Sequence, residues 1–130
     1  MELFLRKALR EDTEIKTLIG TDSSGYAKVY SVQALQDIIP SYVVITLVSK
    51  PRRQLGSQNY RFQFSVFSDS YGKAKAIADK LVQKIEGLDS QSNIYAVYPE
   101  NELEMYEEAT KLYHIPIDAI FYRLEKANFA

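Results

Sequence analysis

Cysteine and tryptophan are absent from this 130-residue chain, and histidine occurs once, at His114. Without cysteine, disulfide scaffolds, thiol catalysis, iron–sulfur clusters and cysteine-ligated zinc sites are excluded. One histidine also excludes metal sites built on a histidine pair. These absences remove the common routes to metal-dependent and thiol chemistry.

The chain also has no excess of one charge and no long apolar run. Sixteen basic and seventeen acidic residues give a net charge of −1, which provides no general attraction to nucleic acid. No stretch approaches the roughly 18 apolar residues that a membrane span needs. The first positive charges, Arg6 and Lys7, follow the apolar residues of the N-terminus, unlike a signal peptide. We therefore expect a cytoplasmic protein with no membrane partner, and one domain covering residues 1–130.

Hydrophobic periodicity predicts two main helices. Apolar residues recur at steps of three and four over residues 3–19 and again over residues 70–86. Ser68 or Asp69 is a suitable cap for the second helix, and Gly87 is expected to end it.

Alternating or β-branched runs predict the strands. A long polar loop over 49–59 separates two of them, Pro99 is expected to stop a strand, and Pro116 to place its strand at an edge or bulge. Residues 100–111 are acidic and receive no assignment. The predicted strands cover 26–30, 41–48, 60–67, 93–98 and 112–124.

Strands that follow one another directly favour antiparallel pairing. The predicted fold is therefore α+β, in the order α-β-β-β-α-β-β. It has a mostly antiparallel sheet of four to five strands, with the two main helices packed on one face.

A search for catalytic groups finds little. His114 is the only imidazole base, and its position in a strand, opposite the apolar stripe, is typical of a partly exposed strand histidine. Ser24 and Gly25 lack the flanking glycine of a nucleophile elbow, and no phosphate-binding glycine motif occurs. No catalytic or metal-binding residue is predicted.

Two charged clusters remain as candidate contact residues. The acidic cluster is a solvated connection, a charged contact surface or, least favoured, a metal site. The basic cluster is a solvated loop, a protein contact or a phosphate contact, although nucleic-acid binders usually show a broader basic face. The acidic residues are Glu100, Glu102, Glu104, Glu107 and Glu108, and the basic residues are Lys50, Arg52, Arg53 and Arg61.

Complementary charges on different sides of one chain can join copies head to tail, and such contacts close into a ring when the rotation permits. The ten tyrosines and six phenylalanines are compatible either with strand preference or with a surface that meets partners. Self-association is therefore one hypothesis that the residues themselves support.

Four segments carry a family resemblance. They are the strand entry Pro40 to Ile45, the aromatic strand Tyr60 to Val66, the alanine-rich helix Lys73 to Leu81 and the closing strand Leu112 to Phe121. In the order of its predicted elements and in the residue types that compose them, the chain resembles the tail terminator or tail-completion proteins of tailed phages and prophages, of the siphophage type. The resemblance covers residues 3–125.

The resemblance implies a small α+β subunit of the virion tail or neck, which forms a hexameric ring on the tail tube. Such a ring stops tube growth and docks to the head connector. The implied partners are further copies of the chain, the tail tube protein and the connector, while DNA would only pass through the lumen. Neither catalysis nor a cofactor is implied, and loop 49–59 would reach a neighbour.

The alternatives are a head-to-tail joining protein of the neck, a small soluble ligand-binding or regulatory module, and a minor hydrolase that uses the carboxylates.

Overall fold

The computed structural model describes residues 2–31, 40–49, 57–88 and 94–124. Three helices and six strands occupy these ranges. In chain order they are α1 (Glu2–Arg10), α2 (Thr13–Ile19), β1 (Val29–Ser31), β2 (Tyr42–Ser49), β3 (Ser57–Ser68), α3 (Tyr71–Glu86), β4 (Ile94–Glu102), β5 (Met105–Glu107) and β6 (Leu112–Leu124).

The six strands form one sheet in the order β1-β2-β3-β6-β4, and β5 also pairs with β6. Strands β3 and β6 are antiparallel and pair without a break from Ser57↔Leu124 to Ser68↔Tyr113. Two strands pair with the other side of β6. Strand β4 pairs with Ile117–Arg123, and β5 pairs with Leu112–His114. Only the short β1 is parallel to its neighbour. The predicted α+β class with a mostly antiparallel sheet is confirmed.

All three helices bury their apolar sides in the same core, against one face of the sheet. Phe62 of β3 and Phe121 of β6 meet edge to face at the centre, with ring centroids 5.8 Å apart. This geometry is favoured by the opposite charges of a ring's edge and face. The largest fully buried side chains are Phe62, Phe64, Phe121, Leu5, Leu9, Ile15, Ile45, Ile77, Leu81, Ile85, Ile115 and Ile117.

The helix predicted over 3–19 is two helices, because Asp12 begins a new one. Its backbone is extended (φ −73°, ψ 126°), and its Oδ1 accepts hydrogen bonds from the amides of Glu14 (2.9 Å) and Ile15 (3.0 Å). This is the geometry of an N-cap, which satisfies amides that lack partners in the first helical turn. The apolar period continues across the break, since both α1 and α2 face the same core.

Ion pairs connect the start of α2 to the last turns of α3. Lys84 Nζ lies 2.8 Å from Glu14 and 3.1 Å from Asp12, and Lys80 Nζ lies 2.6 Å from Glu14. Hydrogen bonds from Lys80 and Lys84 lower the pKa of Glu14 to about 2. Helix α3 is capped by Ser70, so the predicted caps Ser68 and Asp69 are wrong, and Gly87 follows its last residue as expected.

Both proline predictions are wrong in detail. Pro99 does not stop β4, which continues to Glu102 past a register shift between Pro99 and Asn101. Pro116 lies in β6 between two neighbours, not at an edge. Its carbonyl accepts the Leu103 amide at 3.3 Å. A residue in an antiparallel strand points its carbonyl and nitrogen to the same side. The nitrogen without a hydrogen therefore faces the link 103–104 between β4 and β5, where no ladder partner is needed.

The remaining differences lie near loops. The first strand begins at Val29, not at residue 26, because Thr21 and Ala27 bridge across a turn. Ser49 and residues 57–59 of the predicted loop belong to β2 and β3, whereas residues 50–56 lie outside the described residues.

Among the described helices, none has the length and apolar character that crossing a membrane requires.

Candidate interaction surface

The five glutamates of the acidic cluster lie together at one margin of the sheet. Glu100 and Glu102 end β4, Glu104 lies in the link to β5, Glu107 ends β5 and Glu108 follows it. We call residues 98–108 the acidic margin. Of the basic candidates, the structure brings Arg61 to this margin, while Lys50, Arg52 and Arg53 lie outside the described residues.

Two cations from neighbouring elements hold the acidic margin in place. Arg61 of β3 pairs with Glu100. Lys75 of α3 pairs with both Glu102 and Glu104, at 2.8 and 3.1 Å. Hydrogen bonds to these two carboxylates raise the pKa of Lys75 above its ordinary value. The margin is thus connected to the sheet's outer face through Arg61 and to the helical layer through Lys75.

Tyr71 adds a third connection between α3 and the margin. Its hydroxyl donates a hydrogen bond of 2.9 Å to Glu104 Oε1. This bond raises the pKa of the Tyr71 phenol, while Lys75 first and Tyr71 second lower the pKa of the Glu104 carboxyl. Glu104 is therefore ionised near neutral pH, as an acceptor and not as a general acid.

His114 is partly exposed on the sheet face opposite Ile115 and Ile117, as predicted for a strand histidine. Its ring stacks on Phe67 at 4.3 Å, and its Nδ1 lies 3.3 Å from Glu107 Oε1. Burial lowers the pKa of His114 and outweighs the opposing effect of Glu107. The imidazole is mainly neutral at pH 7, and no described nucleophile contacts it.

The acidic margin keeps an excess of negative charge. It contains five carboxylates, whereas Arg61 and Lys75 are the lysine and arginine side chains of the described chain that pair with them. Among the side chains that the structure describes, the Glu107 carboxylate pairs with the neutral His114 and the Thr110 hydroxyl, and Glu108 is exposed. Part of the acidic cluster is therefore paired within the chain, and part is available to an external cation.

Large apolar side chains are exposed beside these charges. In the described part of the chain, ten large hydrophobic residues are exposed, and four lie on the margin: Tyr98 (58%), Leu103 (53%), Met105 (44%) and Tyr106 (47%). Tyr71, exposed at 46%, neighbours them. Charged and apolar groups mixed at one edge are typical of protein interfaces.

A shallow cavity of about 160 Å³ opens among these side chains. Tyr113 forms its wall and contacts the rings of Tyr106 and Tyr71, with centroids 4.9 and 5.7 Å away. The sequence reasoning missed this apolar part, although its signal is present, since Leu103, Met105 and Tyr106 alternate with glutamates between Glu102 and Glu107. The cavity is lined by Tyr71, Glu104, Met105, Tyr106, Tyr113 and Ile115.

The arrangement favours recognition over chemistry. Within residues 2–31, 40–49, 57–88 and 94–124, no three side chains of histidine, cysteine, aspartate or glutamate come together as a metal site would require. What the margin offers is an acidic edge with apolar side chains, held by ion pairs to a rigid sheet and helix.

Comparison with solved structures gives the class of protein that carries this fold. A chain of "Virion of native gene transfer agent (GTA) particle" matches with a TM-score of 0.71 and 19% sequence identity, over 93% of this chain and 92% of that chain. This likeness establishes a fold that also occurs in a phage-like particle. A search of curated proteins found no match.

The family model is more specific. Residues 4–121 match the model of the tail completion protein gp17 family, and the chain belongs to that family. It is a structural protein of phage tails, located in the tail or neck of the virion, where it assembles with other virion proteins. The resemblance inferred from the sequence is confirmed.

Proposed function

We propose that copies of this chain form a hexameric ring that caps the tail tube, ends its polymerisation and docks the tail to the head connector. The residues 1–130 constitute one subunit of the ring. It acts by binding, without catalysis or a cofactor, and nucleic acid meets it only by passing through the lumen.

One observation carries this proposal beyond family membership. The acidic margin exposes large apolar and acidic side chains at one edge of the molecule, while ion pairs to Arg61 and Lys75 fix its position. A self-assembling subunit needs such a surface, since apolar contact provides affinity and charge selects partner and register.

A ring suits the capping role because its contacts act together. When one subunit binds the end of the tube, the others are held at high effective concentration beside their own sites. Moderate affinity at each contact is then sufficient for a stable cap.

The candidate contact residues differ in what they can contribute. Glu108 and Glu107 are available to a partner, whereas Glu100, Glu102, Glu104 and Arg61 have ion-pair partners within their own chain. Lys50, Arg52 and Arg53 remain proposed contacts for a neighbouring subunit, the tube or the connector. Arg52→Glu/Arg53→Glu should weaken the oligomer, and light scattering that shows unchanged mass would exclude this contact.

Deletion of the gene from its phage tests the role in the tail. We expect overlong tails in electron micrographs of the deletion, and normal tails when the wild-type gene is supplied in trans. Tails of normal length detached from heads would instead identify a joining protein of the neck. Native mass spectrometry of the purified protein tests the ring, and a monomer at all concentrations would contradict it.

A further inference from the structure

We propose that each subunit of the ring receives the acidic margin of its neighbour in a basic cleft beside α1. The inference depends on the proposed ring and adds to it the two surfaces that join the copies. The cleft is formed by the exposed side of α1 and the turn that precedes β1.

The cleft has a volume of about 350 Å³ and combines basic with apolar lining. Leu3 is the most exposed large hydrophobic residue of the described chain, at 75%, and Tyr26 is exposed at 40%. The lining also contains three basic side chains and one carboxylate. The lining residues are Leu3, Arg6, Lys7, Arg10, Glu11 and Tyr26.

Contacts within the chain preorganise one wall of the cleft. Asp22 Oδ1 accepts hydrogen bonds from the amides of Ser24 (2.9 Å) and Tyr26 (3.1 Å), which fixes the turn. Arg10 lies over the Tyr26 ring, with its Cζ 4.8 Å from the centroid, and its Nη2 is 3.4 Å from Asp22 Oδ2. The Tyr26 ring is thus held in place before any partner arrives.

Two of the three basic side chains of the cleft, Arg6 and Lys7, lack an anionic partner among the described residues, while Arg10 pairs with Asp22. The Nε atoms of Arg6 and Arg10 are buried and have no acceptor among the described residues, whereas the Lys7 side chain is exposed and can reach a partner. Arg6 has no ion pair with any described carboxylate. Guanidinium groups bind carboxylates in paired hydrogen bonds, so carboxylates of a partner suit this cleft.

The cleft favours an acidic peptide segment over a nucleic acid. An exposed leucine matches no group of a phosphate backbone. The acidic margin fits both the apolar and the basic lining of the cleft, because Leu103, Met105 and Tyr106 alternate with the carboxylates Glu104, Glu107 and Glu108.

The two surfaces lie at opposite sides of the subunit. Helix α1 packs over β1 and β2 at one edge of the sheet, and the margin lies on β4 and β5 beyond β6 at the other. A contact between unlike surfaces on opposite sides is head to tail, and repeated contacts of this kind close into a ring when the rotation between subunits permits.

A charge exchange tests the pairing in the full-length protein. Arg6→Glu/Lys7→Glu and Glu107→Lys/Glu108→Lys should each raise the concentration at which the ring dissociates by at least about tenfold, because like charges would then face each other. The combination of all four changes should restore most of the wild-type behaviour. Light scattering over a dilution series measures mass, and circular dichroism confirms that each variant is folded.

The matched control exchanges Lys73 and Asp79, two exposed residues of α3, by Lys73→Glu/Asp79→Lys. It should leave the ring unchanged. If the wild type forms rings that tolerate Arg6→Glu/Lys7→Glu, the inference is wrong although the ring stands. The inference is also wrong if ring formation by the Glu107→Lys/Glu108→Lys variant is restored by Arg52→Glu/Arg53→Glu and is not restored by Arg6→Glu/Lys7→Glu. If the wild-type protein is monomeric, both the ring and the proposed contact are wrong. If the wild-type protein forms rings but the deletion phage has tails of normal length, only the capping role is wrong.

Discussion

The middle of the sheet and the acidic margin are stabilised in different ways. Between β3 and β6 the register is unbroken, and rings such as Phe62 and Phe121 are buried beneath the helices. At the margin β4 has a register shift between Pro99 and Asn101, and ion pairs hold exposed strands in place. Apolar burial determines the fold at the centre, while polar contacts at the edge leave large apolar side chains exposed.

Truncation at the centre should have the largest effect. Phe121→Ala removes a fully buried ring that contacts Phe62 and Phe64, and we expect a loss of about 3–5 kcal/mol in the free energy of unfolding. Urea denaturation measures it. Tyr98→Ala at the exposed margin is the matched control and should cost less than about 1 kcal/mol. Equal losses at the two positions would remove the distinction between centre and margin.

Removal of the cap between α1 and α2 should have an intermediate effect on the helical layer. Asp12→Ala takes away the acceptor of the Glu14 and Ile15 amides, and we expect a loss of about 1 kcal/mol. Asp12→Asn retains an acceptor and should recover most of this stability in the same denaturation measurement. If asparagine is as damaging as alanine, the ion pair with Lys84, and not the cap, is what matters at this position.

Disruption of the margin should have a local effect. Lys75→Met keeps the length of the side chain but removes the cation that Glu102 and Glu104 share. Amide hydrogen exchange, followed by mass spectrometry, should accelerate in the acidic margin, with little change in the midpoint of urea unfolding. The control Lys73→Met, on the same helix, should leave hydrogen exchange in the acidic margin unchanged. Faster exchange throughout β3 and β6 would show that the margin is not an independent unit.

The smallest expected effect is a dependence on pH at His114. Burial lowers the pKa of this imidazole below its ordinary 6.5, so the unfolded chain binds the proton more readily. The contribution to stability is therefore complete above pH 6.5 and is lost as the pH falls through 6.5 toward the lower folded value.

Two variants separate this effect from other titrations. His114→Phe should flatten the stability profile between pH 7 and about 5. Glu107→Gln should steepen it, because the carboxylate that raises the pKa of His114 is gone. Thermal melting across this range measures both, and a wild type that becomes more stable on acidification through it would contradict the sign.

Most of the fold follows from local patterns. The last strand was predicted with its observed bounds, and α3 within a residue, because alternation and helical periodicity are strong there. The break at Asp12 was missed, since two helices that face one core preserve a single apolar period. The cap residue itself was the available signal. For Pro116, the sequence shows the missing amide hydrogen but not which neighbour lies opposite it.

The candidate surface was predictable only in part. The glutamates of residues 100–108 stand out as a cluster, yet their partners Arg61 and Lys75 are distant in sequence and are brought close by strand pairing and helix packing. Which carboxylates are neutralised within the chain, and which remain for a partner, is thus a property of the fold. The α1 cleft was hidden for the same reason, because Tyr26 and α1 meet only after the turn at Asp22 forms.

The proline in β6 has a mechanical consequence. Its nitrogen cannot donate to the link 103–104, so the hydrogen bond from the Leu103 amide to the Pro116 carbonyl is what joins the ladders of β4 and β5 along the long strand. The backbone pairing of this edge is therefore one hydrogen bond poorer opposite Pro116 than in an unbroken antiparallel ladder.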